Sequence, residues 1–329
     1  MAADFVAKQA ELEARIAAWK PLAGDRLQVD HLTAYSGHRV YALTLSEPAV
    51  PLERKRRHYF AQPHAHEPGA TAGMVDAIEQ LVTGKDLAGR PTALDLEAVF
   101  ANTLLTFNPI GNPQGREKAP VECWDGSRFS NQQLWCWMRG EDPDKPGQMW
   151  HRLDLWDTRD YPRHPEPIGI VYEQIDEHRW VEPNRSHRST YFQLFFKMDY
   201  QHGYQAWLDL HQTEFVRSPH NCMIILPLEG LAPEPILDVD RRWGRRLVEA
   251  WKAAGYRPRP EPVHLGYRGQ QAAYFRACWG ELARRMPVLT TEVKNNAADA
   301  PATFQLEAQS LAIVHSIQRL LEEPGRESE

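Results

Sequence analysis

Short apolar runs alternate with stretches of helical periodicity along most of this 329-residue chain. Residues 58–63 and 206–210 are runs of strand length, whereas residues 70–82 place Met74 and Ile78 on one side of a helix. Strands that alternate with helices pack as a sheet between two helical layers. The sequence therefore predicts an α/β fold with a mixed, mostly parallel central sheet and helices on both faces.

Turn and cap residues set the limits of several predicted elements. Tyr35-Ser36-Gly37 turns the first two strands into an antiparallel pair, Pro21 ends the first helix, and Gly84 caps the second. The predicted strands cover residues 27–32, 38–45, 58–63, 101–107, 206–210, 222–226 and 288–292, and the predicted helices cover residues 3–19, 70–82, 191–200, 239–253, 270–285 and 304–321.

Residues from about 108 to 183 contain little regular periodicity. An irregular stretch of that length inside a compact domain is usually functional. We predict an N-terminal helix within residues 1–25, a single domain over residues 26–322 that carries this stretch as an insertion, and a frayed polar tail at residues 323–329. The tryptophans of the insertion either line a hydrophobic substrate funnel or pack a loop-rich subdomain: Trp124, Trp135, Trp137, Trp150 and Trp156.

Charge and composition argue against several classes of partner. The net charge is −6 and the isoelectric point is about 6.2, whereas a nucleic-acid-binding protein normally has a basic face. The chain has no apolar run of roughly 18 residues that could span a membrane, and its N-terminus lacks the apolar core of a signal peptide. Four scattered cysteines indicate reduced thiols. We expect a cytoplasmic protein that binds neither nucleic acid nor membrane; its oligomeric state is unknown.

Potential metal ligands follow two of the predicted strands directly. His64 and Glu67 stand three residues apart after the strand at 58–63, and His211 follows the run at 206–210. A catalytic zinc site combines three such imidazole or carboxylate ligands with an open position for water. Strand ends of an open α/β sheet meet at one edge, where ligand sites form. The sequence therefore predicts a zinc site made by these three residues.

Glu292 ends another apolar run, at residues 288–292, and is the predicted general base beside the metal. Such a carboxylate takes a proton from water and passes it to a leaving amine. The alternative is that each histidine is an ordinary hydrogen-bonded residue at a strand end, as single histidines more often are. Three matches in the order that the chemistry requires favour the zinc site.

The motifs of this chain resemble the zinc metallocarboxypeptidase superfamily, the group around carboxypeptidase A. The resemblance covers roughly residues 27–320, and each motif is modest alone but stands in the order found in the family. The motifs are the run from Gly37 to Leu43, His64 to Glu67, Asn112-Pro113-Gln114-Gly115-Arg116-Glu117, Glu182-Pro183-Asn184-Arg185 in place of Asp-x-Asn-Arg, Leu208 to His211, and Thr291-Glu292-Val293.

The resemblance implies a metallocarboxypeptidase-like fold and a zinc ion (Zn²⁺) as cofactor. It implies that the ligands are His64, Glu67 and His211, with Glu292 as general base. It also implies that Asn184 and Arg185 hold the terminal carboxylate of a substrate. A guanidinium suits that role because its planar fork matches a carboxylate in two hydrogen bonds.

Some positions of this chain depart from the family. His66 stands one residue before Glu67, where relatives often carry an arginine, and is a predicted substrate-binding residue. The mobile tyrosine of the family, which would also bind substrate, is predicted to be Tyr267, with Tyr274 as the other candidate, unless both are packing aromatics. Cys136 follows Leu134-Trp135, where the peptidases carry an arginine that stabilises the oxyanion. Two nearby arginines are possible substitutes: Arg128 and Arg139.

The predicted function is zinc-dependent hydrolysis of an amide bond next to a free carboxylate, by a carboxypeptidase acting on a small peptide or peptide-like metabolite. Two alternatives remain open. Asp209 and Thr213, on either side of His211, favour the aspartoacylase and succinylglutamate desuccinylase branch, which has the same zinc set and hydrolyses N-acyl amino acids. The missing arginine after Trp135 favours a zinc-binding protein with weakened catalysis.

Overall fold

The structure is a computed structural model, and it describes residues 4–119, 155–157, 159, 170–214 and 217–322. Most of the predicted insertion and the predicted tail at 323–329 lie outside the described residues. Outside them as well are residues for which the sequence suggested roles: Cys123, Trp124, Arg128, Trp135, Cys136, Trp137, Arg139 and Trp150.

Eight α-helices and eleven strands are formed by the described residues. The helices are α1 (Gln9–Ala23), α2 (Pro68–Thr83), α3 (Leu96–Asn102), α4 (Pro113–Lys118), α5 (Thr190–His202), α6 (Glu234–Ala253), α7 (Gly269–Arg285) and α8 (Ala302–Glu322). The strands are β1 (Leu27–Thr33), β2 (Arg39–Leu45), β3 (Arg56–Ala61), β4 (Thr103–Asn108), β5 (Trp156–Asp157), β6 (Glu173–Gln174), β7 (Arg179–Val181), β8 (Ala206–Thr213), β9 (Cys222–Leu226), β10 (Val263–His264) and β11 (Val288–Lys294).

The central sheet has eight strands in the order β1-β2-β4-β3-β8-β11-β9-β10. The pairs β4/β3, β3/β8, β8/β11 and β9/β10 are parallel, and the pairs β1/β2, β2/β4 and β11/β9 are antiparallel. The predicted α/β fold with a mixed, mostly parallel sheet is confirmed. Its parallel centre matters for function because β3, β8 and β11 all end at the same edge.

Both faces of the sheet are buried under helices. Phe60 and Leu208 pack in the apolar cluster that includes α1, α2, α6 and α8, whereas their neighbours Tyr59 and Trp207 pack in the cluster that includes α5 and α7. Adjacent strand residues point to opposite faces, so both faces must be apolar in the central strands. Burial of each such side chain contributes about 1.5–3 kcal/mol.

The first helix differs from its prediction. α1 begins at Gln9 rather than near residue 3, and it continues through Pro21 to Ala23. Pro21 removes one hydrogen bond of the helix, and only two helical residues follow it, so little of the helix depends on that bond. The indole of Trp19 is buried and donates to Glu79 Oε2 at 2.7 Å, and this tertiary contact holds the last turn in place.

The segment before β4 also differs. α3 ends at Asn102, so residues 101 and 102 are helical where the sequence pattern predicted a strand. Asp95 caps this helix, because its side chain accepts a hydrogen bond from the Ala98 amide at 3.1 Å. The short helix was missed because its apolar residues merge with the apolar run of the strand.

In the region predicted to be irregular, the described residues form α4 and a small antiparallel sheet of order β5-β7-β6. Trp156 is fully buried there and packs with Tyr172, so this tryptophan packs a subdomain. Cys222 and Cys278 are buried free thiols, as predicted. Among the described helices, none combines the length and apolar character that a membrane crossing requires.

Candidate metal centre

Three chain segments converge at the carboxyl edge of β3, β8 and β11. The chain leaves β3 at Ala61 and turns through His64 and Glu67 before α2 starts at Pro68. His211 lies near the end of β8, and the parallel register sets Glu292 of β11 directly beside it. The structure therefore brings together the four residues that the sequence placed at strand ends.

The donor atoms of His64, Glu67 and His211 surround one small space. His64 Nδ1 lies 2.8 Å from Glu67 Oε1 and 3.1 Å from His211 Nδ1, and His211 Nδ1 lies 3.3 Å from Glu67 Oε2. Tetrahedral zinc with ligands at about 2.0–2.2 Å separates neighbouring ligand atoms by about 3.3–3.6 Å. The observed separations are slightly shorter, so small side-chain rotations would admit the ion, and all three donor types suit zinc.

The outer nitrogen of each histidine faces a buried carboxylate. His64 Nε2 lies 2.6 Å from Glu182 Oε1, and His211 Nε2 lies 2.8 Å from Asp209 Oδ2. Tyr191 donates to the other oxygen of Asp209 at 2.5 Å. A carboxylate on the outer nitrogen fixes the tautomer of a metal-binding histidine and leaves Nδ1 available as a ligand. Both histidines therefore have the partners that metal ligands usually have.

The charges around the site also fit a divalent cation. Burial would raise the pKa of Glu67, but the adjacent His64 and His211 hold that pKa well below its usual range. Burial lowers the pKa of His64, which favours the neutral imidazole that binds metals. The described wall of the cavity carries four carboxylates and one guanidinium, and a doubly charged cation offsets most of the excess: Glu67, Glu182, Asp209, Glu292 and Arg185.

Arg116 holds the turn that carries the first two ligands. Its buried guanidinium donates to Ala65 O at 2.6 Å, Gln62 Oε1 at 3.1 Å and His64 O at 3.4 Å. The guanidinium therefore binds two backbone carbonyls of this turn, and that of Ala65 is buried with it. The family motif at residues 112–117 therefore stabilises the ligand turn from behind.

Asn184, Arg185 and Tyr267 form a polar group beside the metal ligands. Arg185 donates to Glu182 and, through Nη2, to Tyr267 Oη at 2.5 Å, and its guanidinium lies 5.0 Å from the centre of the Tyr267 ring. With its amide turned to satisfy both atoms, Asn184 Nδ2 lies 2.7 and 3.0 Å from the oxygens of Glu182. Tyr274, the other candidate tyrosine, is not among the residues of the cavity.

His66 is buried beside the ligands. Its ring stacks on His64 with centroids 5.4 Å apart, and its Nε2 lies 3.5 Å from Glu67 Oε1. The donor atoms of His64, His66 and Glu67 all lie within 4.8 Å of one another, so these three form an alternative ligand set. In the set with His211, Nδ1 of that residue lies 3.1 Å from His64 Nδ1 and 3.3 Å from Glu67 Oε2.

The metal ligands and the polar groups beside them border one cavity of about 300 Å³. The ligands, Glu292, His66, Asn184, Arg185 and Tyr267 line one part of it, and the remainder is largely apolar. The main apolar side chains are Ile225, Leu231, Leu265, Phe275, Trp279 and Val288. A concave site with a few convergent polar groups and an apolar wall is typical of a small-ligand site.

Glu182 is the residue of this site to which sequence reasoning assigned no role of its own. It joins two parts of the site, since one oxygen faces His64 and the other accepts from Arg185. The signal was its place at the first position of the motif Glu182 to Arg185, where the family carries aspartate. Glutamate has one more methylene than aspartate, and here its carboxylate reaches both partners.

The fold is shared with known metallo-carboxypeptidase structures. Carboxypeptidase A from Helicoverpa armigera aligns with a TM-score of 0.62 at 11% identity, over 97% of this chain and 74% of that chain. The metallo-carboxypeptidase from Burkholderia cenocepacia aligns with a TM-score of 0.54 at 15% identity, over 94% of this chain and 70% of that chain. A metallo-carboxypeptidase from Pseudomonas aeruginosa, solved in complex with (2-guanidinoethylmercapto)succinic acid, aligns with a TM-score of 0.52 at 15% identity, over 95% of this chain and 70% of that chain. No family model and no curated protein matches the chain.

At identities of 11–15%, this likeness establishes the fold. The predicted resemblance to the zinc metallocarboxypeptidase superfamily is therefore confirmed as a resemblance of fold. One fold can host unrelated activities, so the activity has to be argued from the residues of the site.

Proposed function

We propose that this protein is a zinc-dependent hydrolase that cleaves an amide bond next to a free carboxylate, as a carboxypeptidase does. The observation that carries the proposal is that His64, Glu67 and His211 converge in the same cavity as Glu292 and Arg185. The shared fold with metallo-carboxypeptidases supports it. Such a site needs metal ligands, a base and an anchor for the substrate carboxylate, all close enough to act on one substrate molecule. These residues supply all three.

Glu292 is the base in this proposal. Its strand register beside His211 brings its carboxylate to the edge of the metal site. A zinc ion bound there would lower the pKa of a water molecule and polarise the substrate carbonyl. Glu292 would accept the proton that the attacking water loses and deliver it to the nitrogen of the leaving amine.

Arg185 is the proposed anchor for the substrate's terminal carboxylate. Its guanidinium is 4% exposed, and Glu182 and Tyr267 hold it in place. Tyr267 is half-buried and borders the cavity. Its hydroxyl can therefore give up the hydrogen bond with Arg185 and form one with a group of the substrate. The apolar part of the cavity wall favours an apolar side chain on the residue that is released.

The test is hydrolysis of peptides with a free carboxy-terminus, the same peptides with an amidated terminus, and N-acyl amino acids. We expect cleavage of the peptides with a free carboxy-terminus and no cleavage of the amidated peptides. Glu292→Gln should lower kcat by at least about a hundredfold while the metal stays bound. Glu281→Gln, at an exposed site on α7, is the matched control.

Each remaining outcome assigns the protein to a different class. Cleavage of N-acyl amino acids with no cleavage of peptides would identify a deacylase. Activity that survives Glu292→Gln would contradict both hydrolase assignments. A protein that binds zinc but cleaves neither substrate class would be a binding protein with weakened catalysis.

A further inference from the structure

Two buried glutamines on α8 contact the segments that carry the metal ligands and the base. Gln305 and Gln309 stand one helical turn apart, and both are fully buried. A buried amide is costly unless its donors and its acceptor are used. All four polar atoms of these two side chains have hydrogen-bond partners.

Gln309 bridges the strand of a ligand and the strand of the base. Its Nε2 donates to His211 O at 2.7 Å, and its Oε1 accepts from Thr291 Oγ1 at 2.8 Å. Thr291 precedes Glu292, and adjacent residues of a strand point to opposite faces. The bond to Thr291 therefore fixes β11 from the helix side, while Glu292 faces the cavity.

Gln305 reaches the turn that carries Glu67 through a second amide. Gln212 accepts from the Gly69 amide at 2.6 Å and donates to Gln305 Oε1 at 2.8 Å. Gln305 Nε2 then donates to Ala300 O at 2.7 Å. Gly69 lies two residues after Glu67, and Gln212 follows His211, so this chain of bonds ties both ligand segments to α8.

The packing of α2 against α8 is built around these glutamines. A side-chain carbon at Gly69 would lie 2.7 Å from both Gln305 Cβ and Gln212 Nε2, and one at Gly73 would lie 2.4 Å from Gln309 Cβ. These separations are below any real contact, so only glycine at both positions lets α8 approach closely enough for its amides to reach the strand ends. The glycines at i and i+4 on α2 thus match the glutamines at i and i+4 on α8.

We propose that Gln305 and Gln309 are positioning residues for the metal centre and the base. Through hydrogen bonds they hold His211, the turn after Glu67 and the strand of Glu292 in one arrangement. Neither side chain lines the cavity, so neither touches substrate. The catalytic part of this inference rests on the proposed function; the metal-binding part does not.

The test compares Gln305→Met and Gln309→Met with Gln80→Met. Gln80 is also a buried glutamine between α2 and α8, bonded to Asp76 at 2.9 Å and Ser310 at 3.2 Å. It lies twelve residues after Pro68, about 18 Å along the helix from the ligand turn. Each of the three variants removes a buried amide between α2 and α8, and the variants differ in distance from the site; the melting temperature measures the structural cost of each.

The readouts are Co²⁺ affinity, the visible spectrum of the Co²⁺ protein and the melting temperature. We expect Gln305→Met and Gln309→Met to weaken Co²⁺ binding by about fivefold or more and to alter the spectrum, with Gln80→Met within about twofold of wild type. Where substrate is cleaved, Gln309→Met should lower kcat by about tenfold with KM changed less than about threefold. Should either Met variant fail to fold, Gln305→Asn breaks the bond to Gln212 with a smaller cavity and should weaken Co²⁺ binding about threefold.

The inference is overturned if the two Met variants bind Co²⁺ as wild type does, or if Gln80→Met weakens binding equally. It is also overturned if wild type binds no Co²⁺. A wild type that binds Co²⁺ but hydrolyses neither substrate class contradicts the proposed function alone, because the comparison of metal affinities still holds.

Discussion

Removal of the charge at Asp209 should weaken metal binding without changing the shape of the site. Its carboxylate is 2% exposed and lies between two partners, Tyr191 Oη at 2.5 Å and His211 Nε2 at 2.8 Å. An imidazole that binds metal through Nδ1 carries its proton on Nε2, so Asp209 accepts that hydrogen bond. Asp209→Asn can still accept it, because the amide turns its oxygen to His211 and its NH₂ group to the tyrosine oxygen.

The size of the effect follows from the loss of one charge. A hydrogen bond to a charged group contributes about 1.5–3 kcal/mol, against about 0.5–1.5 kcal/mol for a neutral one. The midpoints of these ranges differ by about 1.25 kcal/mol, which corresponds to about eightfold weaker zinc binding and is close to the lower end of the range for such outer partners. Tyr191→Phe removes only a neighbour of Asp209 and should weaken binding by about threefold or less.

Competition with a chromophoric chelator at fixed pH measures these affinities. Because Tyr191 acts through Asp209, the double variant should be weakened by less than the product of the two single effects. A zinc affinity of Asp209→Asn within twofold of wild type would contradict this role of the Asp209 charge, as would a larger loss of affinity in Tyr191→Phe than in Asp209→Asn.

Three further perturbations test other parts of the site. Glu182→Gln should weaken zinc binding by about tenfold, because it removes the negative charge beside Nε2 of His64. An unchanged zinc affinity in the chelator assay would contradict this. Arg185→Lys should raise KM for free-carboxylate peptides by about tenfold or more and leave zinc affinity unchanged, which steady-state kinetics and metal titration measure together. Burial raises the pKa of Glu173 to about 7 from 4.5, although Thr190 donates to it. Folding therefore favours its protonated form, whose stabilisation is complete below pH 4.5 and is lost as the pH rises through 7. Relative to Glu173→Gln, wild type should lose up to about 3 kcal/mol of unfolding free energy between pH 4.5 and 8 in urea titrations, and a constant difference would contradict the assignment.

Residues next to strong local patterns were predictable from the sequence. His64 and Glu67 follow an apolar strand and precede a helix with clear periodicity, so their place at the sheet edge follows from parallel topology. The strand at 222–226 has the predicted bounds, because turn residues flank a short apolar run. The roles of the site residues stay predictions until metal and activity are measured.

Residues whose role depends on long-range contacts were not predictable. Glu182 reaches His64 across 118 positions of sequence, through a segment with no periodic pattern. Gln305 and Gln309 look like ordinary polar positions of an amphipathic helix, and only the packing against Gly69 and Gly73 shows that they are buried. Single-residue propensities carry no information about such pairings.

A crystal structure of the zinc-loaded protein, with anomalous data at the zinc edge, would show whether His64, Glu67 and His211 bind one metal ion. We expect one strong peak within about 2.2 Å of His64 Nδ1, His211 Nδ1 and a carboxylate oxygen of Glu67. No peak at this edge of the sheet, or a zinc ion held by His66 in place of His211, would contradict it.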